Sequence, residues 1–184
     1  TAAVRSRMRA GPVALLHARG YVPMEIAVRA GGRTPILFDI RGLQGEEYLD
    51  ARIWTTRDIG YRLLKRSEAR FFERADAAVV LTQAIVPYVR ERFAASGRDV
   101  PIRVIPTCVD TQRFRRDERA RVRVRAELEA TEGTIVFAYS GSLGTWYMAG
   151  EMAAFVRLAR DRMRRPVRLL WQVNNDPEIA CDAS

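Results

Sequence analysis

Short apolar segments alternate with amphipathic ones along most of the chain. The apolar segments are continuous, which is typical of the buried strands of parallel sheets. They predict six strands, at residues 12–20, 34–42, 75–82, 101–110, 133–144 and 166–176. Between them, apolar residues recur every three or four positions, which is typical of helices with one buried face. Helices are predicted at residues 21–32, 56–74, 83–97, 117–130 and 146–162.

Strands that alternate with helices predict an α/β fold, with parallel sheets covered by helices on both faces. The charged stretch between Asp110 and Thr134 interrupts this pattern and marks a boundary between two Rossmann-like domains. We expect the first domain at 1–112, a connection at 113–132 and the second domain at 133–184, with both domains incomplete. Ligands of such sheets bind beyond the carboxyl ends of the strands, so candidate residues are sought there.

For the helices at 56–74 and 146–162, the sequence predicts which residues are buried. The segment 43–54, which precedes the helix at 56–74, is predicted to be a polar connection. The helix at 56–74 is expected to bury Ile59, Leu63, Leu64, Phe71 and Phe72. The helix at 146–162 is expected to bury Met152, Phe155, Val156 and Ala159.

Composition narrows the class of protein. Hydrophobic residues make up 48% of the 184 positions, which is enough for a buried core and excludes a disordered chain. No stretch of about 18 apolar residues is present, so no membrane-spanning helix is predicted. The chain begins at Thr1 without a signal-peptide pattern, and we expect that an N-terminal segment precedes it.

The net charge of +9 comes almost wholly from arginine, because Lys65 is the single lysine of the sequence. Such a charge suits an anionic partner (nucleic acid, an acidic membrane face or a phosphorylated small molecule), or reflects arginines that simply face solvent. Cys108 and Cys181 match no metal-binding or redox spacing, which indicates free thiols and a cytoplasmic location.

The segment YSGSLG, at 139–144, follows a predicted strand and precedes a predicted helix. Glycines allow a backbone to approach an anion closely, and a helix N-terminus offers unpaired N–H groups to it. We therefore expect a diphosphate here, although a tight strand–helix connection is the alternative. The predicted donor-binding residues are Gly141, Ser142, Leu143, Gly144, Trp146 and Tyr147.

The segment VIPTCVDTQRF, at 104–114, contains a strand that breaks at a proline and a polar turn that contains Asp110. On its own, it favours an irregular crossover whose Val109 and Phe114 pack into the core. Together with ADAAVVLT before it and IVFAYSGSLGTWY after it, it resembles the family 4 (group 1) glycosyltransferases of the GT-B fold. The resemblance covers roughly residues 12 to 176, and Thr107 and Cys108 replace the usual Asn-Gly of the family.

The resemblance implies a retaining enzyme that transfers a sugar from a nucleotide-diphosphate donor to an acceptor hydroxyl. It implies no metal and no cofactor, since the nucleotide sugar is a substrate. It also implies that a Glu-x7-Glu element of the donor domain lies beyond Ser184, so we expect this chain alone to be inactive. Many relatives act on glycan or lipid-linked acceptors, and the basic charge would suit peripheral contact with an anionic inner membrane face.

Candidate acceptor-side residues follow the first two strands. His17 is the single histidine of the sequence and a candidate acid–base group, and Arg19 is a candidate for binding a phosphate or carboxylate. Arg41 occupies the place where related enzymes often carry a histidine near the reacting sugar. It cannot act as a base, but it can stabilise a diphosphate or hold an anionic acceptor. The remaining candidate acceptor-binding residues are Asp39, Glu46 and Glu47.

Two other functions stay open at this stage. A sugar-nucleotide epimerase with the GT-B fold would share the domain architecture without sharing the acceptor. A nucleic-acid-binding module would use the arginine-rich surface, and its affinity for DNA would fall steeply with salt.

Overall fold

Two separate parallel sheets are present in the computed structural model, which describes residues 1–143 and 147–173. The four-stranded sheet belongs to a unit at Thr1–Val109, and the two-stranded sheet to a unit at Asp110–Ser184. Parallel strands alternate with helices in both units, so the predicted α/β class is confirmed. All six predicted strands are present, each shorter than its apolar segment.

The first unit has its strands in the order β1-β2-β3-β4. The strands are β1 (Leu16–Arg19), β2 (Ile36–Ile40), β3 (Ala77–Val80) and β4 (Ile102–Val104). The helices are α1 (Ala2–Arg9), α2 (Tyr21–Ala30), α3 (Gln44–Asp50), α4 (Ile59–Arg74) and α5 (Val86–Ala95), with a short 3-10 turn at Gln83–Ile85. Pro87 lies in the first turn of α5, where the missing N–H costs nothing.

The hydrophobic core of this unit lies on one face of its sheet. Phe38 is fully buried at its centre and pairs in register with Ala18 on one side and Ala78 on the other. Consecutive parallel strands joined by right-handed crossovers bring the connecting helices to the same face. α2, α4 and α5 accordingly share that face, so the expected covering of both faces is wrong for these three helices. The opposite face carries His17, Arg19 and Asp39.

The buried face of α4 differs from the predicted one. Leu64, Phe71 and Phe72 pack into the core, but Ile59 and Leu63 are 75% and 54% exposed. At about 100° per residue, Leu63 lies about 100° from Leu64 around the helix, and Ile59 about 140°. The buried stripe instead contains Glu68, a polar residue that the apolar pattern does not indicate.

Two helices of the first unit were not predicted. α3 forms within the polar segment 43–54, where seven residues and an internal Gly45 give little helical signal. α1 has no buried residue, and the apolar pattern therefore does not indicate it.

The second unit contains β5 (Ile135–Gly141) and β6 (Val167–Val173), paired in parallel along all seven residues. Its helices are α6 (Glu118–Glu127) and α7 (Ala149–Arg162). In α7, Val156 is buried and Met152 and Ala159 are half-buried, as the sequence predicted. Phe155 is 56% exposed, and its ring packs edge-on against Phe137 at 5.3 Å.

Candidate functional site

Four predicted site residues meet at the carboxyl ends of β1 and β2. Arg19 and Asp39 are partners in the parallel register, and His17 lies two residues before Arg19 on the same face. Arg41 is placed two residues beyond Asp39, just after β2 ends. Because adjacent parallel strands end at one edge of the sheet, these side chains surround a single carboxylate. We call this group the Asp39 cluster.

Asp39 is the centre of the cluster. Its Oδ2 lies 3.3 Å from Nε2 of His17 and 3.8 Å from Nε of Arg19, and its Oδ1 lies 3.9 Å from Nη1 of Arg41. The Asp39 side chain is 10% exposed, whereas those of Arg19 and His17 are 66% and 56% exposed. A buried carboxylate needs such partners, since an isolated buried charge is very unfavourable.

Hydrogen bonding in the Asp39 cluster is incomplete. Oδ1 of Asp39 is buried and accepts no hydrogen bond from the residues that the structure describes. The two ion pairs with arginine, at 3.8 and 3.9 Å, are too long to be hydrogen bonds. A buried acceptor without a donor is uncommon in folded proteins and points to a partner from outside the chain.

Glu46 and Glu47 are not part of the Asp39 cluster. Oε1 of Glu46 accepts a hydrogen bond from Nζ of Lys65 at 2.9 Å, on the helix side of the sheet. Glu47 is exposed, and its carboxylate lies so close to Gly42 that a Cβ there would meet Oε1 at 2.0 Å. Glu47 therefore packs against the turn that follows Arg41, and a Cβ at Gly42 would displace the end of this flexible side chain.

A second polar group lies among the helices and was not predicted. Glu68, which is 3% exposed, accepts hydrogen bonds from Tyr21 and Lys65, and Lys65 also contacts Glu46. We call these four residues the Glu68 network. The signal for it in the sequence was a glutamate at helical spacing between Leu64 and the buried Phe72.

Charge pairing sets the protonation of the Glu68 network. Burial and the adjacent Glu68 carboxylate raise the pKa of Tyr21 far above its usual value, so the phenol stays protonated and donates. Burial opposes the charge of Lys65, but hydrogen bonds to Glu68 and Glu46 outweigh it and raise the pKa of the lysine. A cavity of about 270 Å³ adjoins the network, lined by Lys65, Glu68, Phe72, Arg92 and Ser96 among others.

In the second unit, the turn after β5 is tied down by Tyr139. Its hydroxyl donates a hydrogen bond of 2.6 Å to the carbonyl oxygen of Ser142, across Gly141. A Cβ on Gly141 would lie 2.8 Å from that hydroxyl, so the close approach requires glycine. Partial burial and the neighbouring Tyr147 raise the pKa of Tyr139 above its usual value.

The other predicted donor residues surround this turn. Leu143 is buried, with 4% of the residue exposed, whereas Tyr147 is 45% exposed. Met148, the N-cap residue of α7, makes no capping hydrogen bond through its side chain and adopts a left-handed conformation with φ of 46°. Within residues 1–143 and 147–173, the first-turn amides of α7 have no side-chain partner, as in anion sites. Gly144 and Trp146 lie outside the described residues.

A family model decides what kind of protein carries these features. The model of Glycosyltransferase Family 4 matches residues 1–113, which include the whole Asp39 cluster. The chain belongs to Glycosyltransferase Family 4. The resemblance that the sequence motifs indicated is thereby confirmed.

Other comparisons add little to the family 4 assignment. No curated protein sequence gives a match. Among solved structures, the chain is similar to AroM of S. pombe, described as a dehydroquinate dehydratase and shikimate dehydrogenase, with 10% identity and a TM-score of 0.27. That match covers 97% of this chain but 37% of the other, and a likeness so weak carries no argument.

The family 4 motif around Asp110 forms a local turn. Oδ1 of Asp110 accepts hydrogen bonds from the backbone amides of Gln112 and Arg113, at 2.9 and 3.2 Å. Val109 and Phe114 are 58% and 65% exposed, so the alternative in which both pack into the core is wrong. Hydrogen bonds to the Asp110 side chain hold this turn, and burial of Val109 and Phe114 does not.

The part of this family 4 chain that the structure describes contains neither a metal-binding cluster nor a membrane-spanning helix. In residues 1–143 and 147–173, no group of three His, Cys, Asp or Glu side chains is arranged to hold a metal ion. None of the helices that the structure describes is long and apolar enough to cross a bilayer.

Proposed function

We propose that this chain is part of a retaining glycosyltransferase, which transfers a sugar from a nucleotide-diphosphate donor to an acceptor hydroxyl. The observation that supports this most directly is the Asp39 cluster, three basic side chains around one buried carboxylate within the family 4 match. Such a cluster at the carboxyl edge of a parallel sheet suits the binding and orientation of a polar acceptor.

On the donor side, the proposed ligand of the Gly141–Leu143 turn is the diphosphate. Backbone amides of this turn and of the first turn of α7 would stabilise negative charge as the sugar–phosphate bond breaks. Gly144 and Trp146 are part of the same proposed site, and Tyr147 would contact the donor through its exposed ring. The apolar contact between the rings of Tyr139 and Tyr147, with centroids 6.4 Å apart, supports a preformed turn.

On the acceptor side, we assign roles by geometry. Asp39 would accept a hydrogen bond from an acceptor hydroxyl through Oδ1. His17, oriented by Oδ2 of Asp39, would take up the proton or pass it on, and Arg41 would stabilise negative charge near the reacting sugar. Glu47 is exposed and could contact an acceptor hydroxyl. Glu46 is engaged by Lys65, so we leave it out of the proposed site.

The proposed location is the cytoplasm, with peripheral contact at the inner face of an anionic membrane. Thirty-one basic residues against 22 acidic ones support the second part of this proposal. Each basic residue near an anionic bilayer contributes about 1 kcal/mol of attraction. Binding to anionic vesicles that disappears at high salt would support it, and equal binding to neutral vesicles would oppose it.

Donor binding is the first test. Calorimetric titration with UDP-glucose, ADP-glucose and GDP-mannose should give saturable heat with one of the three. Gly141→Ala should weaken that binding, because the added methyl displaces Tyr139, whereas Gly133→Ala has open space and should not. If none of the nucleotide sugars binds the longest natural polypeptide that contains this sequence, the proposal fails.

A further inference from the structure

The guanidinium groups of the Asp39 cluster have more hydrogen-bond donors than the chain satisfies. Arginine carries five N–H donors. Within the residues that the structure describes, Arg19 and Arg41 each contact an acid only at Asp39, and neither donates a hydrogen bond. Arg19 faces Asp39 through Nε, so both of its terminal amino groups remain available. Two positive charges therefore share a single carboxylate.

The burial of Arg41 makes this excess of donors significant. Its side chain is 33% exposed, so part of the guanidinium has exchanged water for protein. Buried or half-buried guanidinium groups are normally paired with an oxyanion, and a planar fork fits phosphate or carboxylate through two parallel bonds. A neutral acceptor would leave these donors unmatched.

Asp39 supplies the complementary half of the site. Its Oδ1 is buried and accepts no hydrogen bond from the described residues, so it requires a donor such as a hydroxyl. Arg41 approaches the same oxygen to 3.9 Å. The free donors and the free acceptor are thus next to each other, and one ligand that carries both an oxyanion and a hydroxyl would match them.

We propose that Arg19, Arg41 and Asp39 select an acceptor in which a phosphate or carboxylate lies next to the hydroxyl that receives the sugar. The oxyanion binds the two guanidinium groups, and the hydroxyl donates to Oδ1 of Asp39. This inference rests on the proposed function, since it names the class of acceptor for the same site. The competing source of the oxyanion is the diphosphate of the donor.

The single histidine of the chain supplies a direct readout. Nε2 of His17 lies 3.3 Å from Asp39, so ligands at the cluster change the ring resonances of His17 in an NMR titration. The probes are glycerol 3-phosphate and glycerate, which carry both groups, glycerol, which lacks the oxyanion, and UDP, which represents the donor. At least one of the two anionic probes should shift the ring resonances with saturation, while glycerol should not.

Matched variants distinguish binding at the Asp39 cluster from nonspecific attraction to the basic surface. Arg19→Gln and Arg41→Gln should each weaken the binding of the anionic probe at least tenfold. Arg90→Gln, at an exposed arginine of α5 without a hydrogen bond or ion pair among the described residues, should leave it unchanged. Circular dichroism confirms that each variant is folded. If Arg41→Gln does not fold, Arg41→Lys keeps the charge without the planar fork and should still weaken binding several-fold.

Two results would overturn the inference. One is the absence of any His17 shift with both anionic probes. The other is a shift by UDP alone that depends on Arg19 and Arg41, which would assign the cluster to the donor. Either result leaves the proposed function intact if nucleotide sugars still bind. Conversely, anionic probes that bind while no nucleotide sugar does would preserve this site and refute the transferase.

Discussion

Tyr21 donates its phenolic hydrogen to the buried carboxylate of Glu68, which joins the first residue of α2 to the middle of α4. Only Gly20 separates Tyr21 from Arg19, and the Gly20 amide in turn donates to the carbonyl oxygen of Asp39. The Glu68 network therefore holds the turn that directly follows Arg19 of the Asp39 cluster. This connection makes the stability of the helix layer and the geometry of the site interdependent.

Tyr21→Phe should lower the free energy of unfolding by about 1–3 kcal/mol, because it leaves a buried oxygen of Glu68 without its donor. Urea denaturation measures the change. Tyr61→Phe is the matched control, since the Tyr61 hydroxyl makes no hydrogen bond within the described residues, and its effect should be small. Equal stability of the two variants would contradict the role assigned to the Tyr21–Glu68 bond.

Asp76 should make stability depend on pH in acid. Partial burial tends to raise its pKa, but the amide of Ile36 and the charges of Arg98 and Arg74 together hold that pKa below the ordinary 3.8. The resulting stabilisation is present above the ordinary pKa and is lost as the pH falls through the lowered value. Asp76→Asn should therefore lower the melting temperature at neutral pH, and the difference should vanish in strong acid.

Melting curves of the wild type and Asp76→Asn, recorded at a series of pH values, test this prediction. Asp99→Asn serves as the control, because Asp99 is exposed and has no ion pair within the described residues. It should melt like the wild type throughout. A difference between Asp76→Asn and the wild type that persists unchanged in strong acid would show that the charge of Asp76 is not its cause.

Gly141→Ala should reduce donor affinity at least tenfold, as a methyl group 2.8 Å from the Tyr139 hydroxyl must displace the tie to Ser142. Gly133 precedes the same strand, and nothing lies within 4 Å of a Cβ built there. Gly133→Ala should therefore bind the donor like the wild type. Calorimetry on both variants makes the comparison, and unchanged affinity of Gly141→Ala would remove the turn from the donor site.

His17→Ala should lower kcat about 100-fold or more and leave nucleotide-sugar binding unchanged, if His17 handles the acceptor proton. Asp39 keeps its ion pairs with Arg19 and Arg41 in this variant, so the fall in kcat would come from loss of the imidazole ring alone. Steady-state kinetics with the longest natural polypeptide that contains this sequence would measure it. A kcat within threefold of the wild type would reduce His17 to a structural partner of Asp39.

The strands could be predicted from the sequence because continuous apolar segments have few alternatives in an α/β chain. The buried faces of the helices were harder to predict. A period of 3.6 residues predicts the buried face only when the apolar residues that define it are themselves buried. Ile59 and Leu63 are apolar but lie on the exposed side of α4. α3 was missed because it has only seven residues, mostly polar and with a glycine in its first turn, and such a short helix needs contact with α4 to form.

The candidate site was partly predictable for a similar reason. The Asp39 cluster lies at the ends of consecutive strands, and the rule that ligands bind at those ends named its members. Their contact with one carboxylate depends on β1 and β2 being neighbours in register, which periodicity does not reveal. The helical spacing of Glu68 between Leu64 and Phe72 is a local signal for one member of the Glu68 network. The network itself joins residues 21, 46, 65 and 68 through helix packing, so no local pattern contains all four.

Sugar transfer itself is the central claim, and the configuration of the product tests it most directly. The longest natural polypeptide that contains this sequence is incubated with an α-linked nucleotide sugar and a hydroxylated anion such as glycerol 3-phosphate. Proton NMR then follows the anomeric signals. The account predicts loss of the donor signal and a new glycosidic bond of the same α configuration. A β-linked product, an epimerised nucleotide sugar or no turnover of any donor would contradict it.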